Sequence, residues 1–237
     1  MASIAANLQQ VQNRIADACA RAHRSPTEVA LMAVSKMHPA EAILEAHAAG
    51  QRLFGENRVQ EFAAKFDALS ILYPLSSVPC SFHLIGPLQN NKTAKAAELF
   101  HAIDTLDSLK TAQRLNDAAR ALNKTLSVLI EVKLSHEETK HGLAPQELPG
   151  FLAALAPLNN LQLSGLMTVP PWDENPETAR PYFQHLRRLR DENLAACPTL
   201  TQLSMGMSND FAVAIEEGST TVRIGTAIFG KRDYTAT

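Results

Sequence analysis

The chain has 237 residues, of which 46% are hydrophobic, and a formal net charge of −2. That length suits one large domain or two small ones, and that apolar content can bury a sizeable core. The near-neutral charge leaves no basic footprint for nucleic acid, and no apolar run approaches the length of a membrane span.

The N-terminus has no basic stretch before an apolar run, so it reads as a cytoplasmic protein without a secretory signal. Ile4, Leu8, Val11, Ile15 and Cys19 recur at helical spacing, and Ser3 is placed to cap that helix. From there strand and helix alternate. Val29 to Val34 reads as the first strand, and Pro39 to Ala49 as a helix that Gly50 stops. Arg52 to Gly55 is a short strand and Arg58 to Leu69 a helix. The Pro- and Ser-rich stretch Tyr73 to Ser81 reads as a surface insertion before a third strand, Phe82 to Ile85. His101 to Ile103, Leu126 to Val132 and Leu161 to Leu166 are further strands, with helices at Leu109 to Leu122 and Glu177 to Asn193. Thr201 to Leu203 and Thr221 to Ile224 complete eight strands.

Repeated strand–helix units mean a parallel sheet, and eight in one chain of this size mean a closed barrel. No linker divides the chain. The expectation is therefore an α/β protein, a single-domain (β/α)8 barrel over residues 1–237 with an extra N-terminal helix. An open doubly wound sheet is the alternative, disfavoured because no Gly-x-Gly-x-x-Gly opens the first helix. Cys19, Cys80 and Cys197 are odd in number and far apart; they read as unreactive thiols rather than a metal or disulfide framework.

Chemistry in such a barrel collects where the strands end. The residues there are Ser35-Lys36, Glu56-Asn57, Gly86, Asp104, Lys133, Met167-Thr168, Ser204 to Asn209 and Arg223 to Thr226. Lys36 ends the first strand; desolvation in the mouth can free its amine to form an imine, or the side chain can simply reach solvent. Ser204 to Asp210 carries a glycine, two serines and a helix start, and Gly225-Thr226 follows the eighth strand. Loops after strands seven and eight are the usual phosphate site of a barrel, although capping alone also explains each. Arg223 needs an acceptor, either a carboxylate such as Glu56 or Glu131 or a ligand nitrogen. His83, within an apolar strand, reads as a hydrogen-bonded core residue, and Asp104 and Asp107 as caps of the following helix. The run Glu137 to Gly142 reads as polar loop, and neither a Ser-His-Asp order nor a metal cluster stands out.

Seven segments then carry a resemblance. They are Ala33–Lys36, Phe54–Glu61, His83–Lys92, Glu138–Leu143, Gly165–Thr168, Leu203–Ser208 and Val222–Gly230. Their order spans essentially the whole chain, and Ser-Met-Gly-Met-Ser followed by Arg-Ile-Gly-Thr is highly specific in combination. The chain resembles the pyridoxal phosphate homeostasis proteins. That resemblance implies a barrel like the N-terminal domain of alanine racemase and pyridoxal 5′-phosphate as cofactor, bound as an imine on Lys36. It implies phosphate contacts from Ser204 to Ser208 and from Gly225-Thr226, and Arg223 facing the pyridine nitrogen. The full set of cofactor contacts expected is Lys36, Asn57, Met167, Ser204, Gly206, Ser208, Arg223, Gly225 and Thr226, with no catalytic residue and no metal. In one place the chain departs from the family: many members have Asn after the fifth strand, where this chain has Lys133, a second cation in the mouth.

An arginine opposite the ring nitrogen only donates, so the ring stays a weaker electron sink. Racemisation needs a second base, which alanine racemase takes from a C-terminal β-domain; this chain ends just after the eighth unit. Three readings follow. The first is a vitamin B6 carrier that passes the cofactor to apo-enzymes and has no turnover of its own. The second is a weak amino-acid racemase or lyase, and the third a Schiff-base aldolase. No nucleic-acid or membrane partner is expected. A monomer is, since no exposed apolar helix stripe stands out.

Overall fold

The computed structural model describes residues 3–72, 80–135 and 141–230. Helix α1, Ile4–Arg21, opens the chain, and the Ser3 hydroxyl accepts from the Ala6 N–H to cap it. Its apolar stripe of Leu8, Val11, Ile15, Ala18 and Cys19 is buried. The strands are β1 Ala30–Val34, β2 Leu53–Glu56, β3 Ser81–Leu84, β4 Ala102–Leu106, β5 Leu126–Glu131, β6 Leu161–Met167, β7 Gln202–Met207 and β8 Thr221–Ile224. Between and after them run α2 Ala40–Ala48, α3 Val59–Leu72, α4 Thr93–Leu99, α5 Leu109–Ala121, α6 Leu148–Leu155, α7 Arg180–Asn193, α8 Phe211–Glu216 and α9 Thr226–Phe229.

The sheet is a closed barrel in which each strand pairs with its neighbours in chain order and β8 returns to β1. Every pairing is parallel. Closure follows from the βα repeat, because each right-handed crossover places the next strand on the same side. Helix α1 lies outside that repeat and packs on α8, α9 and α2. An aromatic cluster fixes α3 to the barrel wall: the Phe62 ring sits 4.7 Å from Phe82 and 4.8 Å from Phe100, and Phe82 stacks on Phe54 at 5.5 Å. Such ring pairs contribute about 0.5–1.5 kcal/mol each beyond their burial.

Several expected boundaries move. Strand β4 runs on through Asp104 and Thr105, both buried, so Asp104 caps nothing. The cap of α5 is Ser108, whose hydroxyl accepts from the Thr111 N–H, and Asp107 precedes it. The stretch 177–193 begins as a tight turn, Pro176–Ala179, before α7 starts at Arg180. Strand β7 extends to Met207, so Ser204 and Gly206 belong to the strand and not to a loop. Ser204 faces Thr221 and Met207 faces Arg223, so β7 carries one more residue than β8 over that stretch. Gly206 absorbs it at φ +95°, where an added Cβ would stand 2.5 Å from the Ala214 Cβ. The 73–79 part of the proposed insertion lies outside the described residues.

All three cysteines are free; burial raises the Cys19 and Cys80 thiols above the usual range, as expected of unreactive positions. Among the described residues, no helix is long and apolar enough to cross a membrane.

Candidate functional site

Alternation along a strand sends every second side chain into the barrel. In β1 and the turn beyond it this series is Met32, Val34 and Lys36; in β2 it includes Gly55, whose Cα lies so close to Met32 that an added Cβ would stand 2.8 Å from its Sδ. Val34 and Lys36, Ile85 beyond β3, and Arg223 and Gly225 at the end of β8 all line one cavity at the C-terminal mouth. Its volume is about 360 Å³, within the range of small-molecule sites. The rest of its wall comes from the 169–179 segment after β6, from Met207 at the end of β7 on to Asp210, and from Thr226. Trp172, 73% exposed, stands at the rim. Asn209 ties the two loops together by donating from Nδ2 to the Asp173 carbonyl at 2.9 Å.

The β1 wall is braced by charge. Lys36 sits in a turn between buried Ser35 and exposed Met37, which adopts φ +61°. A non-glycine residue there is strained by roughly 1–2 kcal/mol. The Ser35 hydroxyl donates to Glu56 Oε1 at 2.8 Å. Lys65 Nζ, from α3, reaches that same Glu56 oxygen, Glu61 Oε1 and the Ser35 carbonyl, each at 2.8 Å. Glu61 Oε1 in turn accepts from the Met37 N–H at 2.5 Å. Burial pushes the Glu56 carboxyl up against the opposing pull of Lys65 and Ser35. Burial also acts on Glu61, but hydrogen bonds from Lys65 and Met37 and the charges of Lys65 and Arg58 outweigh it and hold that carboxyl low.

The β8 wall is braced differently. Arg223 is 4% exposed; its Nη1 donates to Ser204 Oγ and its Nη2 to the Thr168 carbonyl, both at 2.8 Å. Two bonds from one planar fork fix its orientation. Burial works against the guanidinium charge, and Asp104, Glu131 and Asp210 work for it. Asp104 Oδ1 also meets His83 Nδ1 at 3.0 Å, which supplies the hydrogen-bond partner expected for that histidine, although its side chain is 21% exposed and not in the core. Asp210 Oδ1 accepts from the Met207 N–H and holds the loop after β7. The Gly225 Cα passes close to β1, where an added Cβ would lie 3.2 Å from the Val34 carbonyl oxygen.

Five of the nine expected contacts meet at the cavity wall: Lys36, Ser208, Arg223, Gly225 and Thr226. The other four do not line it. Met167 is fully buried one alternation below Val169, and Gly206 packs against α8. Ser204 is fully buried with its hydroxyl on Arg223. Asn57 follows β2, and its buried Oδ1 meets no partner among the described residues. Glu56 is not the acceptor of Arg223; it belongs to Lys65, on the other wall. Lys133 follows β5 at the same end of the barrel without lining the cavity, and its N–H donates to the Leu143 carbonyl. Lys140 and the rest of the 137–140 part of the polar run lie outside the described residues.

Sequence reasoning missed Lys65 and Glu61. Their i,i+4 spacing marks an ion pair on a helix but not what that pair faces. A larger groove, about 610 Å³, opens beside α6 and holds no charged side chain. Its polar lining is neutral, Thr125, Asn159, Gln162, Asn193 and Thr199 among it, whereas the mouth adds a lysine and an arginine.

The family model of the alanine racemase N-terminal domain matches residues 2–233. The pyridoxal phosphate homeostasis protein of Pseudomonas aeruginosa is 46% identical over 237 residues, covering 100% of this chain and 99% of that protein. The protein of the same name from Escherichia coli K12 is 45% identical over 240 residues, with 99% of each covered. Among solved structures, PipY of Synechococcus elongatus with PLP bound superposes with a TM-score of 0.83 at 39% identity, covering 96% of this chain and 100% of that one.

Proposed function

This chain belongs to the pyridoxal phosphate homeostasis proteins of the alanine racemase N-terminal-domain family, and on that premise we propose that its mouth binds pyridoxal 5′-phosphate through Lys36 as a carrier. The observation that carries the reading is the convergence of one lysine, one guanidinium and two hydroxyl side chains on a single cavity, from the ends of β1, β7 and β8. When bound, the cofactor supplies an aldehyde carbon with which an amine can form a reversible covalent bond.

Lys36 provides that amine. Ser208 and Thr226 offer hydroxyls to the phosphate, and Gly225 leaves room for it beside β1. Loops after the seventh and eighth strands are where barrels generally hold phosphate. Arg223 faces the ring; a guanidinium only donates, so it pairs with an unprotonated ring nitrogen and cannot accept a hydrogen bond from a protonated one. Ser204 acts one step back, holding Arg223 by a hydrogen bond. A site that leaves the ring nitrogen unprotonated suits holding and releasing the cofactor better than carbanion chemistry. Apo-enzymes in need of the cofactor are the recipients, and the protein acts as a monomer in the cytoplasm.

The test is a visible spectrum of the loaded protein before and after borohydride reduction, with peptide mapping. The expected result is one reduced adduct, at Lys36, absent from Lys36→Ala. If Lys36→Ala keeps its full colour and borohydride labels another lysine, the assignment fails. Turnover of an amino acid at about 1 s⁻¹ or faster would replace the carrier with an enzyme.

A further inference from the structure

Two lysines meet at the turn after β1, and only one of them lines the cavity. Lys36 does. Lys65 approaches from α3, its side chain 10% exposed, and meets the carboxylates of Glu56 and Glu61 and the Ser35 carbonyl. An ammonium has three hydrogens, and here three acceptors surround it. Those acceptors bind the residues on either side of Lys36. Ser35 is held through its hydroxyl on Glu56 and its carbonyl on Lys65, and Met37 through its N–H on Glu61. Helix α3 is itself immobilised, because Phe62 is wedged between Phe82 and Phe100.

Stability does not explain this arrangement. A buried ion cluster is often no more stable than apolar side chains of equal volume; its best-attested use is to select one geometry. The geometry selected here includes Met37 at φ +61°, a conformation that costs a methionine roughly 1–2 kcal/mol.

We propose that Lys65, with Glu56 and Glu61, is the positioning device for Lys36: it fixes the backbone on both sides of that lysine and so aims its amine across the cavity. This rests on the reading of Lys36 as the cofactor-bonding residue. Lys65 touches no ligand and acts only through the turn. Loss of the clamp should therefore slow bond formation at Lys36 while recognition of ring and phosphate, made on the opposite wall, persists.

The experiment separates those two quantities. One arm follows covalent capture of pyridoxal 5′-phosphate by the apo-protein through its visible absorbance. The other measures the affinity for pyridoxine 5′-phosphate, which has the ring and phosphate but an alcohol where the aldehyde stands. Trp172, the single tryptophan, lies on the cavity wall and reports both events by fluorescence. The variants are Lys65→Met/Glu56→Gln, which removes both buried charges together, Glu61→Ala, at a half-buried site, and Lys65→Arg. Misaiming by about 1 Å costs up to about 100-fold in rate, so the first two should capture about 10- to 100-fold more slowly. Their pyridoxine 5′-phosphate affinity should stay near wild type, and Lys65→Arg should restore part of the rate. Wild-type capture rates in the double variant and in Glu61→Ala overturn the proposal, as does a parallel fall in both quantities. If the double variant does not fold, Glu61→Ala alone decides. Wild type that captures nothing, or captures at another lysine, defeats the cofactor reading itself; wild type that captures at Lys36 regardless of the clamp defeats only this inference.

Discussion

On the β1–β2 side of the cavity, Lys36 is steadied by ion pairs: Lys65 against Glu56 and Glu61, with Ser35 and Met37 tied to the same carboxylates. On the β7–β8 side, support comes from neutral acceptors, with Arg223 on the Ser204 hydroxyl and the Thr168 carbonyl, and from a strand bulge at Gly206. The difference suits the task proposed for each wall. A single amine on a flexible four-carbon stem must be aimed, and charged contacts on its flanking backbone do that. A phosphate accepts from several directions, so its wall needs several modest donors and one fixed guanidinium.

The comparison breaks most visibly in stability. Lys65→Met alone leaves Glu56, fully buried, without its cation, and urea unfolding should show a loss of about 3–5 kcal/mol. Adding Glu56→Gln should recover most of it. Equal losses in the single and double variants would mean that the ion pair is not what the wall depends on.

On the opposite wall the larger effect falls on affinity. Ser208→Ala and Thr226→Val should each weaken pyridoxine 5′-phosphate by about 1.5–3 kcal/mol, a charge-assisted hydrogen bond apiece, with the unfolding midpoint unmoved. Isothermal titration decides; unchanged affinity in the combined variant would place the phosphate elsewhere.

Ser204→Ala sharpens the contrast from within. Its hydroxyl is spent on Arg223, so the variant should lose about 1–2 kcal/mol of stability, with a smaller effect on ligand affinity than Ser208→Ala. A larger affinity loss at Ser204 than at Ser208 would return Ser204 to the phosphate.

The smallest effect is on pH dependence. Glu61 is depressed in the folded state, so its contribution is complete above the ordinary carboxylate range and disappears as pH falls through its lowered value. The stability gap between wild type and Glu61→Gln, about 0.5–1 kcal/mol, should be level above the ordinary carboxylate range and close as pH falls below it. A gap that widens toward acid would reverse the assignment.

The eight βα units were readable because apolar runs and helical periodicity are local properties; α1, with Ser3 as its cap, is the plainest example. Strand ends were harder to read. Ser204 and Gly206 look like loop residues, yet both lie inside β7, because a barrel interior accepts polar side chains wherever another strand supplies a partner. Asp104 shows the same thing: it looks like a helix cap and is instead a buried partner of His83.

Motif order along the chain pointed to Lys36, Ser208, Arg223, Gly225 and Thr226, all of which the fold gathers at one mouth. Sequence alone determined this much, since the residue after each apolar run comes out at the same end of a parallel barrel. Which of the mouth's polar groups face the cavity, and which are spent on one another, was decided only by tertiary structure. Glu56 could have served Arg223 and serves Lys65; Ser204 could have faced the cavity and faces Arg223. Partner choice depends on distances between strands far apart in sequence and on the burial that makes an unpaired polar atom costly, and neither is written in any local stretch of the chain.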